Sequence, residues 1–404
     1  MLTSIHQDRR SAVQLRLLLI VGLAVLMDGF DVQAMGFVAP AIIKAWGVSK
    51  ASLSPVFGAG LFGMLVGSLG LSVVADRVGR RPVMIGATLM FACGMLATTR
   101  VTTIGDLEAI RFATGLGLGA IMPNAMALAG EHSAAESRVT MMMLVSCGFT
   151  GGAVIGGLAS AALIPAFGWQ SVFYVGGVFP LLVAALIAVS VPESGEFFAQ
   201  RAAVRRPSAP VIQLFREGRT RTTLLLWAVN FLNLINLYFL ANWLPTIATS
   251  AGMRTSSAVL LGTMLQVGGV IGTVVMGPVI DRVGFRRVLA PAFLVAAIAI
   301  VLIGRTGLPA PALFTVVTVA GLCIIGGQPA VNALAATYYP TALRSTGIGW
   351  SLGIGRVGSI LGPTLGGELI RRQWSNTSIF ATVAIPAAVS AVLVYLIRTG
   401  PERT

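Results

Sequence analysis

Two aspartates, Asp28 and Asp31, interrupt the run LLLIVGLAVLMDGFDVQAMGFVAP, which otherwise admits no charge. Residues three apart on a helix share a face, and two carboxylates crowded together away from water repel each other unless a proton or a cation intervenes. That is the chemistry of a group that takes up and releases a proton. Arg111, early in another apolar run, lies at a depth comparable with Asp31 and is a candidate cation, while Glu108, one turn earlier, is a rival partner for the same guanidinium. Arg356, in GIGRVG, has no acid on its own run nearer than Glu368. An arginine unpaired there can clamp a carboxylate with two hydrogen bonds. At similar depth lie Asn233, Asn236, Tyr238, Gln328, Asn332 and Trp350. Singly, the amides could be interhelical glue and the aromatic rings packing or interface anchors. Together, at matched depth, they point to a shared substrate cavity.

An ionisable group at the centre of a membrane helix costs roughly 2.5 to 3.5 kcal/mol on insertion scales, so each of these needs a partner or a wet cavity. The runs that carry them are membrane-helix candidates, since about 20 apolar residues cross the hydrocarbon core. Composition agrees: 56% of the 404 residues are hydrophobic and 10% charged, far from the soluble norm. Twelve spans are expected, at 17–39, 51–75, 83–99, 106–129, 139–164, 169–191, 222–248, 256–280, 287–304, 309–336, 345–370 and 376–397. They are apolar all round, without the ten-residue alternation of a membrane barrel, so the expected class is an all-α membrane protein.

The net charge of +14 is an orientation signal. With the N-terminus inside, 19 Lys and Arg fall on the cytoplasmic side and 7 opposite, which places both termini in the cytoplasm of a multi-pass inner-membrane protein. The same basicity gives weak contact with anionic lipid and no nucleic-acid partner. Arg9, Arg10 and Arg16 precede the first span, but it is too long for a signal peptide and lacks a cleavage site, so it is read as a retained helix. Cys93, Cys147 and Cys323 all lie inside spans, with no metal-ligand spacing.

The polar stretch from Pro192 to Arg221 divides the chain into an N-terminal bundle (1–191), a cytoplasmic linker (192–221) and a C-terminal bundle (222–404). The halves repeat: ADRVGRRPVMI from Ala75 matches IDRVGFRRVLA from Ile280, and GGAVIGGLAS from Gly151 parallels VGSILGPTLGG from Val357. Two six-helix copies are the layout of an alternating-access transporter. In the loops after spans two and eight, Gly79 and Gly284 permit a tight turn, and Asp76 and Asp281 can accept from helix-start amides or pair with arginine. With Arg77, Arg80, Arg81, Arg282, Arg286 and Arg287 they could form a conformational latch or a static topogenic turn.

These loops resemble the G-x-x-x-D-R-x-G-R-R signature of the major facilitator superfamily, with Ser72 in place of its first glycine and Phe285 in place of a basic residue in the second copy. DGFDVQAMGFVAPAI, RFATGLGLGAIMPNAMALAGE, FLNLINLYFLANWLPT and the GGQPAVNALAATYYPTALRSTGIGW region further resemble the aromatic acid:proton symporters of that superfamily. The resemblance implies proton coupling by Asp28 and Asp31, a helix-four coupling segment holding Arg111 and Glu131, and Arg356 with the amides facing the substrate. EHSAAESR lacks the proline of the E-x-x-P pattern, which weakens Glu131, and His132 beside it reads as a loop residue or a proton relay. The implied activity is uptake of a benzoate-like or hydroxybenzoate-like anion with protons, by a monomer using a proton gradient and no cofactor. Alternatives are an antiporter, suggested by the glycine-rich SCGFTGGAVIGGLAS, and a non-transporting receptor. No nucleotide loop or nucleophile constellation suggests an enzyme.

Overall fold

A chain in hydrocarbon must satisfy its own backbone, and the helix does so locally. The computed structural model describes residues 2–131, 138–193, 211–305, 307–339 and 341–397. Among them every regular element is helical. The first half holds α1 (Leu2–Trp46), α2 (Ser54–Val78), α3 (Arg80–Thr98), α4 (Ile104–Glu131), α5 (Arg138–Phe167) and α6 (Gln170–Ser190). The second holds α7 (Thr220–Ser250), α8 (Thr255–Val283), α9 (Phe285–Ile303), α10 (Ala310–Ile324), α11 (Gly327–Tyr338), α12 (Thr341–Arg371) and α13 (Asn376–Leu396). Span ten is therefore two helices. Among the described residues ten spans combine the length and hydropathy needed to cross a membrane, with α10 and α11 taken together. The other two, α4 and α12, carry the arginines and are 28 and 31 residues long.

The chain forms two compact units: Met1–Val38 with Ala59–Arg205, and Ala39–Gly58 with Arg206–Thr404. The second unit thus takes in the end of α1 and the start of α2. There Phe57 meets the ring of Trp243 edge-on at 5.0 Å, and the fully buried Trp243 donates through Nε1 to Pro363 O at 2.8 Å. Much of the linker lies outside the described residues, but Val211–Phe215 forms a 3₁₀ turn with Leu214 buried, and Thr223 Oγ1 donates to Leu214 O at 3.0 Å. Large side chains such as Leu69, Leu182, Val274 and Ile298 are more than half exposed, as a lipid-facing surface requires.

Within each unit, glycines set how closely helices approach. In the first, a Cβ on Gly29 of α1 would collide with Phe149 O, and one on Gly152 of α5 with Leu26 O. Gly29, between the two aspartates, admits a neighbouring backbone as its place in the sequence implies. In the second unit, Gly358 and Gly362 of α12 lie against Phe231 O and Ile235 O of α7. Gly152 and Gly358 occupy matching places in the repeat, as do the backbones they touch. A second matched pairing joins α2 to α4 through Gly63 and Gly115, and α8 to α10 through Gly268 and Gly321.

At the break in span ten, the Ile325 and Gly326 amides both donate to Gly321 O, at 2.9 and 3.1 Å. The Gln328 amide, which in a continuous helix would bond Ile324 O, bonds Ile325 O instead at 3.2 Å. The carbonyl of Ile324 is released from the ladder.

Gly151 and Gly152 give a paired test of the glycine packing. A Cβ on Gly151 meets nothing within 4 Å, whereas one on Gly152 meets Leu26 backbone. In thermal unfolding of detergent-solubilised protein, Gly152→Ala is expected to lose about 1–3 kcal/mol and Gly151→Ala to match the parent.

Candidate functional site

Asp31 and Arg111 are brought together. Arg111 Nη1 donates to Asp31 Oδ1 at 2.8 Å, and their side chains are 5% and 0% exposed respectively. Asp31 Oδ2 is buried with no hydrogen-bond partner among the described residues. The guanidinium has room because α2 presents Gly60, where a Cβ would stand 3.6 Å from Arg111 Nε. Of the two acids in reach by sequence, Arg111 pairs with Asp31; Glu108 is half-buried outside that ion pair. Asp28 is buried on the same helix. A single-point ion pair sealed from water is strong only while both charges persist, because removing one strands the other at a cost of about 3–5 kcal/mol.

In the second unit the polar groups form a network around the broken helix. Asn233 Nδ2 donates to the released Ile324 O at 3.1 Å and to Gln328 Oε1 at 2.6 Å. Gln328 Nε2 donates to Asn230 Oδ1 at 2.8 Å and to Asn332 Oδ1 at 3.3 Å. Asn230 Nδ2 donates to Ser351 O and Ser351 Oγ at 3.1 and 3.0 Å, which ties α7 to α12. Asn230 and Asn233 are fully buried, whereas Gln328 and Asn332 are half-buried. Sequence reading named Asn233, Gln328 and Asn332 but missed Asn230 and Ser351. The available signal was an amide three residues before Asn233, on the same helical face.

Asn236 stands apart from this network. Oriented to satisfy both its polar atoms, its amide donates to Val383 O at 2.5 Å and accepts from the Ala387 amide at 3.0 Å. Those two backbone groups are an i, i+4 pair of α13, next to the step at which Pro386 has no amide to donate to Thr382 O. Asn236 is thus spent as a helix joint. Tyr238 and Arg356 are half-buried, and the Arg356 guanidinium has no hydrogen-bond or ion-pair partner among the described residues. Gly355, just before it, packs on Asn230, with a Cβ position 2.9 Å from Asn230 Oδ1. Trp350 is 45% exposed and stacks on Trp227 with ring centroids 5.8 Å apart.

Gly79 and Gly284 take φ of 117° and 86°, a region that excludes most side chains, at the matched turns of the D-R-x-G loops. The helix-start amides of the first latch find an unexpected partner. Glu193, just after α6, accepts from the Arg80 and Arg81 amides through Oε1 at 3.0 and 3.3 Å. Arg81 Nη2 donates to Ala188 O at the end of α6, at 2.5 Å, and Arg286 lies 3.7 Å from the ring centre of Tyr395 on α13. In each half, then, the matching arginine of the D-R-x-G loop reaches the last helix of its own half. Asp281, Arg282 and Arg287 are exposed. The side chains of Asp76, Arg77 and Glu131 lie outside the described residues, as does His132. Glu193 was missed although Pro-Glu follows both span six (Pro192, Glu193) and span twelve (Pro401, Glu402).

The Major Facilitator Superfamily profile matches residues 21–269 and 226–404. The chain belongs to the Major Facilitator Superfamily. It is 37% identical to the 4-hydroxybenzoate transporter PcaK of Pseudomonas putida over 96% of this chain and 93% of that protein. To the gallate transporter of Pseudomonas putida it is 36% identical, over 95% and 92% of the two chains. The solved inward-open xylose transporter XylE from E. coli superposes with a TM-score of 0.79 over 96% of this chain and 97% of that one, at 13% identity, which shows the shared fold. The family is one of transporters rather than enzymes, and the fold is its twelve-helix, two-bundle architecture.

The Glu193 cap can be tested directly. Glu193→Ala leaves two helix-start amides without their acceptor and is expected to cost about 1 kcal/mol. Glu193→Gln, which keeps an acceptor oxygen, should recover part of that loss in the same unfolding measurement.

Proposed function

We propose that this superfamily member is a secondary transporter that carries an aromatic carboxylate into the cell together with protons, by alternating access. Its similarity to 4-hydroxybenzoate and gallate transporters supports the aromatic acid. The observation that carries proton coupling is the buried Asp31–Arg111 pair. A proton on Asp31 removes the charge that holds Arg111, and the arginine must then find another anionic partner or a new conformation. Asp28, one turn away, is the second acid of the pathway, with Glu131 assigned by resemblance to the same coupling segment. Arg356 is the carboxylate clamp, because its fork is uncommitted and it adjoins the amide network. Tyr238 and Trp350 supply aromatic surface for the ring. The site needs no cofactor, and the proton gradient supplies the driving force. The protein acts as a monomer in the inner membrane with cytoplasmic termini, as the positive-inside count indicates.

An antiporter is the second reading, resting on the glycine-rich α5. Gly148, Gly152 and Gly156 of that helix lie against α1, so close packing accounts for them. In proteoliposomes, an inward proton gradient should drive accumulation of a benzoate or hydroxybenzoate. Discharge of preloaded acid under that gradient would establish exchange instead.

Asp31→Asn should abolish uphill uptake while leaving substrate counterflow measurable; persistence of accumulation would remove Asp31 from coupling. Arg356→Ala should weaken binding of carboxylates at least about tenfold more than binding of their neutral amides, in keeping with the loss of a charge-assisted bidentate contact. An equal loss for both ligand classes would remove Arg356 from the clamp.

A further inference from the structure

Hydrogen-bond accounting at Gln328 defines what its side chain can still bind. Its orientation is fixed from outside. Ile324 O and Ser351 O are backbone acceptors, so Asn233 and Asn230 must turn their nitrogens toward them. Asn230 then has only Oδ1 to offer Gln328, and Asn233 offers its remaining N–H. Gln328 therefore presents Nε2 to Asn230 and Oε1 to Asn233, and the second Nε2 hydrogen goes to Asn332 Oδ1. A primary amide has two donors and two acceptor lone pairs. Both donors of Gln328 are used, and one lone pair on Oε1 remains. Asn332, one turn along α11, has its oxygen engaged and no partner for Nδ2 among the described residues. The half-buried pair thus presents one free acceptor beside one free donor. A carboxylate brings only acceptors and does not fit there. A hydroxyl brings one of each.

Building on the proposed aromatic-acid transport, we propose that Gln328 and Asn332 recognise a ring hydroxyl of the substrate, with Gln328 Oε1 accepting from it and Asn332 Nδ2 donating to it. Asn230 is the positioning residue that holds one Gln328 donor and so fixes the orientation of its amide, and the preferred substrate is a hydroxylated aromatic acid whose carboxylate is held elsewhere, at Arg356.

The test is uptake by the full chain in proteoliposomes of 2-, 3- and 4-hydroxybenzoate against the corresponding methylbenzoates, which match the hydroxyl in size without its hydrogen bonds. The parent should favour the best hydroxybenzoate over its methyl counterpart by at least about tenfold in kcat/KM, since a site built to bond a hydroxyl rejects the analogue lacking it. Gln328→Leu should bring that ratio close to one, and Asn332→Ala, on the half-exposed side, should lower it without disturbing the buried amides. Asn230→Ala should raise KM for the hydroxybenzoate and leave KM for the methyl analogue in place; a folding defect would lower the maximal rate for both alike. A parent ratio near one, or a ratio kept intact in both Gln328→Leu and Asn332→Ala, overturns the hydroxyl pair while leaving aromatic acid transport standing. Failure to take up any of these acids overturns both.

Discussion

No water is available within the spans to satisfy a stray polar group, and this constraint organises the molecule. It makes the backbone helical, and it makes a buried polar side chain costly unless it finds a partner inside the protein. Asn236 bridges Val383 O and the Ala387 amide of α13 beside Pro386, and Asn233 takes the carbonyl that the broken span ten releases. Arg111 and Asp31 neutralise each other. Each of these polar groups is met by a partner of the right polarity within its own unit.

Close helix approach is what lets such short-range chemistry operate, and the two halves achieve it in the same way. Glycines at corresponding places in the repeat set α5 against α1 and α12 against α7. On this common frame the halves have diverged in chemistry. The first unit buries an ion pair, whereas the second buries neutral amides and leaves an arginine uncommitted. A duplicated scaffold thus carries a buried ion pair in one copy and an amide network beside an uncommitted arginine in the other.

The ionisable residues were legible in the sequence because hydrocarbon makes each one conspicuous, and the latch glycines because a D-R-x-G turn requires positive φ. The amides were harder. Asn233 and Asn236 are three residues apart and share a helical face, yet one joins α10 and α11 and the other joins α13. α7 is buried nearly all round, so about sixty degrees of rotation, three residues at 3.6 per turn, is enough to change neighbours. Periodicity cannot resolve which neighbour an all-apolar helix offers in each direction. Glu193 was hidden for a related reason: its partners are backbone amides more than a hundred residues earlier, which leave no mark in side-chain pattern. The break at Ile325 and Gly326 looked like ordinary apolar sequence, since the glycines there also serve packing against α8.

For the proton coupling proposed above, the sign follows from charge balance. With Asp31 ionised, its pair with Arg111 is neutral, and an additional anion gains little from it. Protonation leaves the guanidinium as a net positive charge in a medium of low dielectric, where it strongly favours a negative partner. On the proposed coupling role of Asp31, its protonation therefore favours binding of an anion, wherever the anion's carboxylate is clamped, and by linkage a bound anion favours protonation by the same factor. Cargo and proton that reinforce each other travel together, whereas exchange requires that each displace the other. An ion pair whose acidic member takes the proton while its basic member remains charged suits the symport of an organic acid.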